Sequence, residues 1–519
     1  MTGRKILYTD VEEITYENVL DVVREVISDH EINAARFDYL IRYDAGEQEK
    51  IRVKTYRKDI DNWCVDNVAN EAVEFWLGFD WQPITLVQSD EAGEARQDVI
   101  EGISLLNRGY RAEKIKKKTQ ELGRFVEVGG LGYTFVYTNE NWEKGQSYFK
   151  VEALDPKSTF IIRSSYYIDR RPMLGVTYRR DRYGNRFFTC YSKDRRYEIV
   201  NLQEIINGTV VQQEETWQHG NRSGEENPLH LIPIIEWIRS YDRMGLFERQ
   251  IQEMDNLNLL ISDFTNDVDQ NTQAIWHTND VDFPTVKIKQ EDGTEVDVVR
   301  KPKDGEWMQT YTPADGKTPL VEALTIDYDY PGMLQNIITR RSLILQKMNV
   351  PQRNDNSGGS TGIAMSDATG WSAAEMAASK RQNIKEDCKM EEVEVVLAAI
   401  QNSRFIEPDN PLLNLTISDI QANTKRLKTY ELTTKTNAIC ALLGHGFDLD
   451  DTLTIAPLFE DPNQVSVRSG EGVRRYQEAN VFKEETETAQ KEEKRPFPDY
   501  SDQEQNSPSI GGMNTRKGD

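Results

Sequence analysis

The residue types best suited to catalysis are few in this chain and lie far apart in the sequence. None of the five histidines falls in the spacing of a zinc-protease helix, and none accompanies a nucleophile-elbow motif. These histidines are His30, His219, His230, His277 and His445. Each is expected to be a surface or packing residue, so the sequence assigns no catalytic residue.

One glycine-rich run could in principle bind a phosphate group. The run is Gly129-Gly130-Leu131-Gly132. It lacks the Gly-Lys-Ser/Thr ending of a phosphate-binding loop, and a strand-like segment follows where such a loop needs a helix. We therefore expect a turn at these glycines and no nucleotide site.

The cysteines do not form a metal-binding pattern. Cys64, Cys190, Cys388 and Cys440 are far apart in the sequence, and no pair has the spacing of zinc ligands. We expect reduced thiols that lie in hydrophobic cores. No metal and no cofactor are expected.

The chain is acidic overall. Its 519 residues include 63 Lys and Arg against 87 Asp and Glu, which gives a formal net charge of −24 at pH 7. A protein that grips phosphates by counterion release is basic, so this balance argues against a general nucleic-acid binder. Acidity that serves only solubility is an equally good explanation.

Two clusters of basic residues stand out against this background. The first lies on a predicted helix and is more typical of a solvated face than of a DNA contact: Arg108, Arg111, Lys114, Lys116, Lys117 and Lys118. The second is interleaved with aromatic residues, which in an independent domain would suggest nucleic-acid binding. Its arginines are Arg170, Arg171, Arg179, Arg180, Arg182, Arg186, Arg195 and Arg196.

A long amphipathic helix is predicted between Leu246 and Trp276. Apolar residues recur there at steps of three and four and form one stripe. They are Phe247, Ile251, Met254, Leu257, Ile261, Phe264 and Val268. The other face is acidic, with Glu248, Glu253, Asp255, Asp263, Asp267 and Asp269. The apolar stripe needs a partner surface.

A β-hairpin and a second helix follow. From Val286 to Val298, apolar and charged residues alternate around the turn Asp292-Gly293, which is a specific hairpin signal. Pro331 is suited to a helix's first turn, and a helical pattern runs from Met333 to Met348. Two helices thus flank a small β projection.

A polar loop separates the second helix from a third. Pro351 ends the second helix, and residues 354–362 are too rich in glycine and small polar residues to hold one conformation without outside contacts. From Trp371 to about Ser403 the pattern is again helical. At 1.5 Å per residue this helix would be roughly 45 to 50 Å long.

This order of elements resembles the portal proteins of tailed double-stranded DNA bacteriophages, especially those of siphophages that infect Gram-positive bacteria. Several segments carry the likeness: Gly132 to Tyr137, Tyr148 to Pro156, Leu231 to Trp237, Asp263 to Asp267, Ser360 to Met365, and Leu442 to Leu453. Thr361 is inserted between the serine and the glycine of one family segment. The likeness covers about residues 10 to 480 and rests on the order and spacing of these segments.

The resemblance implies an α+β portal fold with wing, stem, clip and crown regions around a central channel. It places the wing at 1–245, the first stem helix at 246–276, the clip at 277–326, the second stem helix at 327–353 and the tunnel loop at 354–370. A long wing helix and closing strand would occupy 371–426, the crown 427–482, and a disordered tail 483–519, where the composition cannot build a core.

The resemblance also implies a role. Twelve copies would form a ring at one capsid vertex, through which double-stranded DNA is packaged and ejected. The implied partners are the terminase large subunit, the head-tail adaptor, and the major capsid and scaffolding proteins. A ring of identical subunits needs a heterologous interface that closes on itself, and an acidic wall would let DNA pass without deep binding wells.

Three sets of residues are assigned to this role. The tunnel loop contains Asn354, Asn356, Ser357, Gly358, Gly359, Ser360, Thr361 and Gly362. The stem presents Asp255, Asp263 and Asp267 to the channel, and the clip presents Lys287, Lys289, Glu291, Asp292 and Gly293 to the motor and the connector. The second basic cluster would contact acidic neighbours in the ring.

Two other functional classes remain open. A nucleotide-dependent packaging enzyme or nuclease would need a phosphate loop or a carboxylate cluster for two metals, and the acidic residues here fall on helix faces. A different ring-shaped head-tail adaptor, without a clip that faces the motor, is the other alternative. No segment has the length of a signal peptide's apolar core or of a membrane span, so a cytosolic location during assembly and no membrane partner are expected.

Overall fold

A computed structural model shows an α+β chain with two compact units, Met1–Lys428 and Thr429–Asp519. It describes residues 3–424 apart from gaps at 56–57, 90–95, 167, 203–204, 207–208, 211–215, 222, 273–274, 280–284, 290–294, 300–319, 325–328 and 353–369. In the second unit it describes 432–449 and a few later positions up to 475. The predicted tail and most of the predicted crown lie outside the described residues. Within the described part of the chain, no helix is long and apolar enough to cross a membrane.

Four helices lie in the first part of the first unit: α1 (Val19–Asp44), α2 (Val68–Asp80), α3 (Gln97–Ala112) and α4 (Ile115–Gly129). The first basic cluster does not lie on one helix as expected. It is divided between α3 and α4, because Lys114 takes a left-handed φ of 56°. The glycine run is a turn, as predicted. Gly130 ends α4 at φ 85°, and a Cβ there would lie 2.6 Å from the carbonyl oxygen of Arg243.

A mixed sheet forms much of the first unit. Its order is β1-β5-β6-β7-β8-β11, and β12 also pairs with β8. The strands are β1 (Leu7–Thr9), β5 (Thr159–Ser164), β6 (Pro172–Arg180), β7 (Arg186–Tyr191), β8 (Arg195–Leu202), β11 (Thr216–His219) and β12 (Glu225–Glu226). β1 runs parallel to β5, and the other neighbours are antiparallel. Burial alternates along β7 and β8, because successive side chains point to opposite faces and one face packs with α1 in a shared core.

A second sheet of three strands brings together segments that lie before and after most of the mixed sheet in the sequence. β13 (Ile234–Ile238) pairs with β3 (Leu131–Thr138), which pairs with β4 (Phe149–Leu154), all antiparallel. Helix α7 (Trp371–Gln401) packs on β3 and β13 and belongs to the same core as α2, α3 and α4. Smaller pairs are β2 (Thr85–Gln88) with β18 (Ile420–Asn423) and β9 (Ile205–Ile206) with β10 (Thr209–Val210).

The predicted first stem helix is shorter than expected. A 3-10 turn at Glu248–Gln250 precedes α5 (Ile251–Thr272). The chain just before it is held against α4, where Leu246 donates its N–H to the Glu127 carbonyl oxygen at 2.7 Å. Trp276 is not helical, since it lies in β14 (Ile275–Asn279), whose backbone pairs with β17 (Leu320–Leu324).

The projection between the two helices contains the predicted hairpin, formed by β15 (Thr285–Lys289) and β16 (Glu295–Val299). Helix α6 (Tyr330–Lys347) then begins three residues earlier than predicted. The carboxylate of Asp329 accepts the Gly332 N–H at 3.0 Å and caps the helix, with Pro331 in the first turn. α8 (Leu432–Gly444) lies in the second unit.

The cysteine prediction is partly wrong. Cys190 and Cys388 are buried and Cys64 is half-buried, but Cys440 is exposed on α8. All four thiols are free. The prediction failed at Cys440 because the apolar pattern around this residue does not show which side of the helix is covered.

Candidate functional site

The first feature of the candidate site is the antiparallel pair α5 and α6. Lys347 Nζ lies 3.3 Å from Glu253 Oε1 at one end of the pair, and the rings of Phe264 and Tyr330 meet at 5.9 Å nearer the other end. The first half of the predicted apolar stripe, from Phe247 to Leu257, is buried in the chain's own core. That half of the stripe therefore needs no partner from another copy.

Residues 48–55 and 58–66 lie against α5 and turn back at 58–60, so that Gln48 and Asp66 both contact Asn258; we term these residues the strap. Its backbone N–H groups at Asn62, Cys64 and Asp66 each donate to a side chain of α5. The acceptors are Asn266 Oδ1 at 2.8 Å, Ser262 Oγ at 2.9 Å and Asn258 Oδ1 at 2.9 Å, in that order. Alternate N–H groups of an extended chain point the same way, and residues four apart share one helix face. The spacing of alternate N–H groups along the strap therefore matches the spacing of residues four apart along α5.

The three aspartates assigned to the channel have different surroundings. Asp255 accepts a hydrogen bond from the Tyr43 hydroxyl at 2.8 Å, and burial raises its pKa. Asp263 forms an ion pair with Arg52 of the strap. Burial, followed by the nearby Asp263 carboxylate, raises the pKa of Asp267. The sequence pattern showed the acidic face but not the tyrosine and the arginine that bind to it.

The hairpin β15–β16 has one apolar and one charged face. Val286 is opposite Val298 and Ile288 is opposite Val296, and all four side chains are 40–52% exposed. On the other face Lys287 is opposite Asp297 and Lys289 is opposite Glu295, with Lys289 Nζ 3.7 Å from Glu295 Oε1. Of the residues assigned to the clip, Glu291, Asp292 and Gly293 lie outside the described residues.

The tunnel-loop residues Asn354 to Gly362 also lie outside the described residues, but both ends of the segment 353–369 are described. Trp76 Nε1 donates to the Met348 carbonyl oxygen at 3.0 Å where α6 ends. Trp371, where α7 begins, packs edge-on against Phe75 and Phe79 at 5.8 and 5.7 Å. Aromatic residues of α2 thus hold both ends. Sequence analysis missed them, although three aromatic residues within five positions of one helix were a visible signal.

The two ends of this segment lie close together. A Cβ built on Gly370 would be 3.9 Å from the Cα of Pro351. Gly370 has φ 86°, a left-handed conformation that glycine adopts without steric cost. The chain therefore leaves and re-enters the core at nearly one point, which we term the loop base.

Comparison with known protein families gives the decisive observation. Residues 38–492 match a family model described as phage portal protein, SPP1 Gp6-like. The chain belongs to this phage portal protein family. No curated protein matches the sequence. The family is structural rather than enzymatic, and its members are capsid components of the virion that assemble as oligomeric rings with DNA. Among the described residues, no group of His, Cys, Asp or Glu could hold a metal ion.

The portal chain carries a row of buried cations on α7 that the sequence analysis did not single out. Each stands over an aromatic ring: Arg381 over Trp76 at 4.0 Å, Lys385 over Trp81 at 4.6 Å, and Lys389 over Tyr110 at 3.6 Å. The positions are four apart and therefore lie on one face of the helix. Burial lowers the pKa of both lysines. The spacing of four between Arg381, Lys385 and Lys389 was the signal available in the sequence.

Carboxylates neutralise this row inside the core. Glu127 Oε1 is 2.8 Å from Arg381 Nη1, and Glu127 Oε2 is 3.0 Å from Arg239 Nε. Burial alone would raise the pKa of Glu127, but the two guanidinium groups lower it to about 2. Glu392 lies 2.5 Å from Lys389, and Asp80 lies 3.3 Å from Lys385. These groups hold α7 in one position and so fix where the loop base lies.

The second basic cluster of the portal chain is occupied largely by contacts within the chain. Arg186 pairs with Glu31 of α1, and Arg196 pairs with Glu198 at 2.8 Å. Arg179 stacks on Phe187 at 4.3 Å, and Arg182 stacks on Tyr183 at 4.6 Å. The expected contacts to acidic neighbours in the ring therefore have fewer free arginines to use than the sequence suggested.

Proposed function

We propose that twelve copies of this chain form a ring at one capsid vertex and that double-stranded DNA passes through it during packaging and ejection. The observation that carries the proposal is the α5–α6 pair with its hairpin projection, inside a chain whose family is shown. A helix pair that joins a packed body to a projection is suited to line a channel. Assembly of the ring would take place in the host cytoplasm, before the capsid is complete.

The channel wall is proposed to be the outward face of α5. Asp263 and Asp267 lie one helical turn apart and are half-buried. Both can face a lumen, where they would repel phosphate groups and keep DNA from binding to the wall. Asp267 is the strongest candidate of the three, because the Asp263 carboxylate pairs with Arg52 of the strap and the Asp255 carboxylate accepts a hydrogen bond from the Tyr43 hydroxyl.

The hairpin is proposed to be the docking end. Lys287 and Lys289 are exposed on its charged face, and Glu291, Asp292 and Gly293 follow in the sequence. This end would bind the terminase large subunit during packaging and the head-tail adaptor afterwards. The major capsid and scaffolding proteins would contact the body formed by the sheets.

The segment at 354–370 is proposed to form a collar of small residues that follows DNA and resists its backward slip. Support comes from its glycine content and from the rigid loop base that holds both ends. Replacing Gly358 and Gly359 by proline should leave the ring intact and lower the amount of DNA packaged. Alanine at both positions is the control, since it keeps most of the backbone freedom. Normal packaging by the proline variant would contradict the collar.

The experiment that tests the ring is electron microscopy of the purified full chain, with particle mass measured on the same sample. Twelvefold rings with a central hole of duplex width are expected, at a mass near twelve times 59.8 kDa. A monomer, or a ring without an open centre, would overturn the proposed function.

A further inference from the structure

Helix α5 has one polar face that is exposed on the single chain. Four positions share this face, because they are four or seven residues apart in the sequence: Gln252, Asn256, Asp263 and Gln270. The three amide residues among them are exposed. Other faces of the helix are buried, as at Met254. The polar face is therefore the part of α5 that a molecule in the channel can reach.

The strap brings a cation to this polar face. Arg52 Nη2 forms an ion pair with Asp263 Oδ1. The side chain of Arg52 is 51% exposed, whereas that of Asp263 is 33% exposed. The guanidinium group is therefore the more accessible member of the pair. A molecule that approaches Asp263 from the channel meets a positive charge beside the negative one.

Contacts within the chain hold this half of the strap against α5. After the turn, Asn62 donates its backbone N–H to Asn266 Oδ1 at 2.8 Å. Lys50, before the turn, places its Nζ 2.6 Å from Asp61 Oδ2 and so joins the two halves of the strap. Arg52 lies only two residues beyond Lys50. The arginine is therefore kept beside the polar face of α5.

An arginine in a channel wall is suited to bind DNA. A guanidinium group donates two parallel hydrogen bonds to the oxygens of a phosphate, and each phosphate contact increases affinity because counterions are released. A ring repeats the arginine once in every copy, so free arginines would form a set of binding sites along passing DNA. A carboxylate binds the same guanidinium donors. Asp263 therefore competes with phosphate for Arg52.

We propose that Asp263 keeps Arg52 from binding the phosphates of DNA that moves through the channel. The proposal rests on the proposed function, in which the outward face of α5 lines the channel. It gives the two aspartates of this wall different tasks. Asp267 acts on the phosphates by repulsion, whereas Asp263 neutralises a cation that would otherwise slow the DNA.

The test measures the binding of a short fluorescent DNA duplex to rings of the full chain, at several salt concentrations. Asp263→Asn should bind the duplex at least tenfold more tightly at low salt and show a steeper salt dependence, because the freed guanidinium groups contact phosphates. Asp267→Asn is the matched control. It makes the same change in charge one helical turn away but releases no arginine, so its affinity should rise much less.

A double-mutant cycle shows whether the aspartate acts through the arginine. Arg52→Gln should weaken DNA binding strongly when Asp263 is already Asn and only slightly when the carboxylate is present. Equal weakening in both backgrounds would overturn the proposal, because the two charges would then act independently. Equal tightening by Asp263→Asn and Asp267→Asn would also overturn it, since both aspartates would then act by repulsion alone.

Electron microscopy and particle mass on the same preparations separate this proposal from the proposed function. Open rings that give either contrary result would refute the role of Asp263 alone. A monomeric unmutated chain would refute the proposed ring, and this proposal with it. Circular dichroism should be unchanged in every variant, because a partly exposed ion pair contributes little to folding stability.

DNA packaging gives an independent check. Asp263→Asn should lower the rate at which DNA enters the head, because each freed arginine holds the DNA for longer. The double variant Asp263→Asn/Arg52→Gln should package DNA at the rate of the unmutated chain. A packaging rate that Asp263→Asn leaves unchanged would contradict the proposal.

Discussion

The buried face of helix α7 is covered by residues of the same chain, whereas the apolar face of the hairpin β15–β16 is exposed to solvent. On α7 even cations are covered by the chain's own aromatic rings and carboxylates. On the hairpin an apolar face of four residues is 40–52% exposed, and these residues lie opposite each other across the strand pair. Helix α7 therefore needs no contact from another chain, whereas the apolar face of the hairpin is open to such a contact.

The physical reasons differ as well. A buried charge is tolerated only when counter-charges and hydrogen bonds surround it. The cations of α7 therefore depend on the carboxylates and aromatic rings of the same core. An isolated two-stranded hairpin is marginally stable in water, and an exposed apolar face on it favours association. The hairpin is therefore where another copy or another protein is expected to bind.

The largest effect is expected from Glu127→Gln. The variant leaves Arg381 and Arg239 buried without their shared counter-charge. Removing one partner of a buried ion pair costs about 3–5 kcal/mol of folding free energy. Urea unfolding of the full chain, followed by tryptophan fluorescence, measures the change.

Glu74→Gln is the matched control for this variant. Glu74 pairs with Arg124 at 2.9 Å, but its side chain is largely exposed, and such pairs contribute about 1 kcal/mol or less. The double variant Glu127→Gln/Arg381→Met should regain part of the loss, because it removes one unpaired charge. Equal losses for Glu127→Gln and Glu74→Gln would mean that α7 does not depend on its buried charges.

The next largest effect concerns His30 in the mixed-sheet core. Burial, aided by the nearby Arg180 and Arg186, lowers the pKa of His30 to about 4 from 6.5. The folded state holds the neutral imidazole, which packs on Phe160 and contacts the Lys157 carbonyl oxygen at 3.1 Å. The unfolded state binds a proton first as pH falls, so stability is lost between about pH 6.5 and 4.

The loss from His30 should approach about 3 kcal/mol at pH 4. His30→Gln keeps a donor for the carbonyl oxygen and does not titrate, so the free energy of unfolding should depend less on pH in this window. A profile that is identical for unmutated chain and His30→Gln would contradict the assignment to His30.

Sequence reasoning predicted the features that depend on local periodicity. The hairpin followed from strict alternation around Asp292-Gly293, and α6 and α7 followed from apolar spacing and from Pro331. The end of α5 was missed because β14 is set by pairing with β17, more than forty residues away. Local patterns carry no information about such a distant partner.

The parts of the site that sequence reasoning missed are all contacts between distant segments. The strap has no regular pattern, since side chains of α5 rather than a neighbouring strand bind its backbone. Tyr43, which binds Asp255, lies on a helix more than two hundred residues earlier. Spacings of four, as in Asn258, Ser262 and Asn266, show that residues share a face, but they do not show what that face binds.

A smaller effect is expected from Asn258→Ala, at the buried contact between α5 and the strap. Asn258 Oδ1 accepts the Asp66 N–H at 2.9 Å, and its amide group also contacts Gln48. The variant leaves buried polar groups unpaired, which costs about 1–3 kcal/mol. Asn256→Ala, at an exposed position of the same helix, should cost less than about 0.5 kcal/mol. Equal costs would show that the strap does not depend on this row.

The smallest effect on folding is expected from Ile288→Thr on the hairpin, and this variant separates the two regions most directly. Ile288 is 52% exposed and faces Val296 across the strand pair, so the free energy of unfolding of the single chain should change by less than about 0.5 kcal/mol. If another copy or another protein covers the apolar face, the same variant weakens that contact, because burying one such side chain contributes about 1.5–3 kcal/mol. Unfolding midpoint and particle mass, measured on one preparation, distinguish the effects. Thr285→Ser, at the exposed start of the same strand, is the control. A large loss of folding stability with unchanged assembly would show that the hairpin is part of the self-contained core after all.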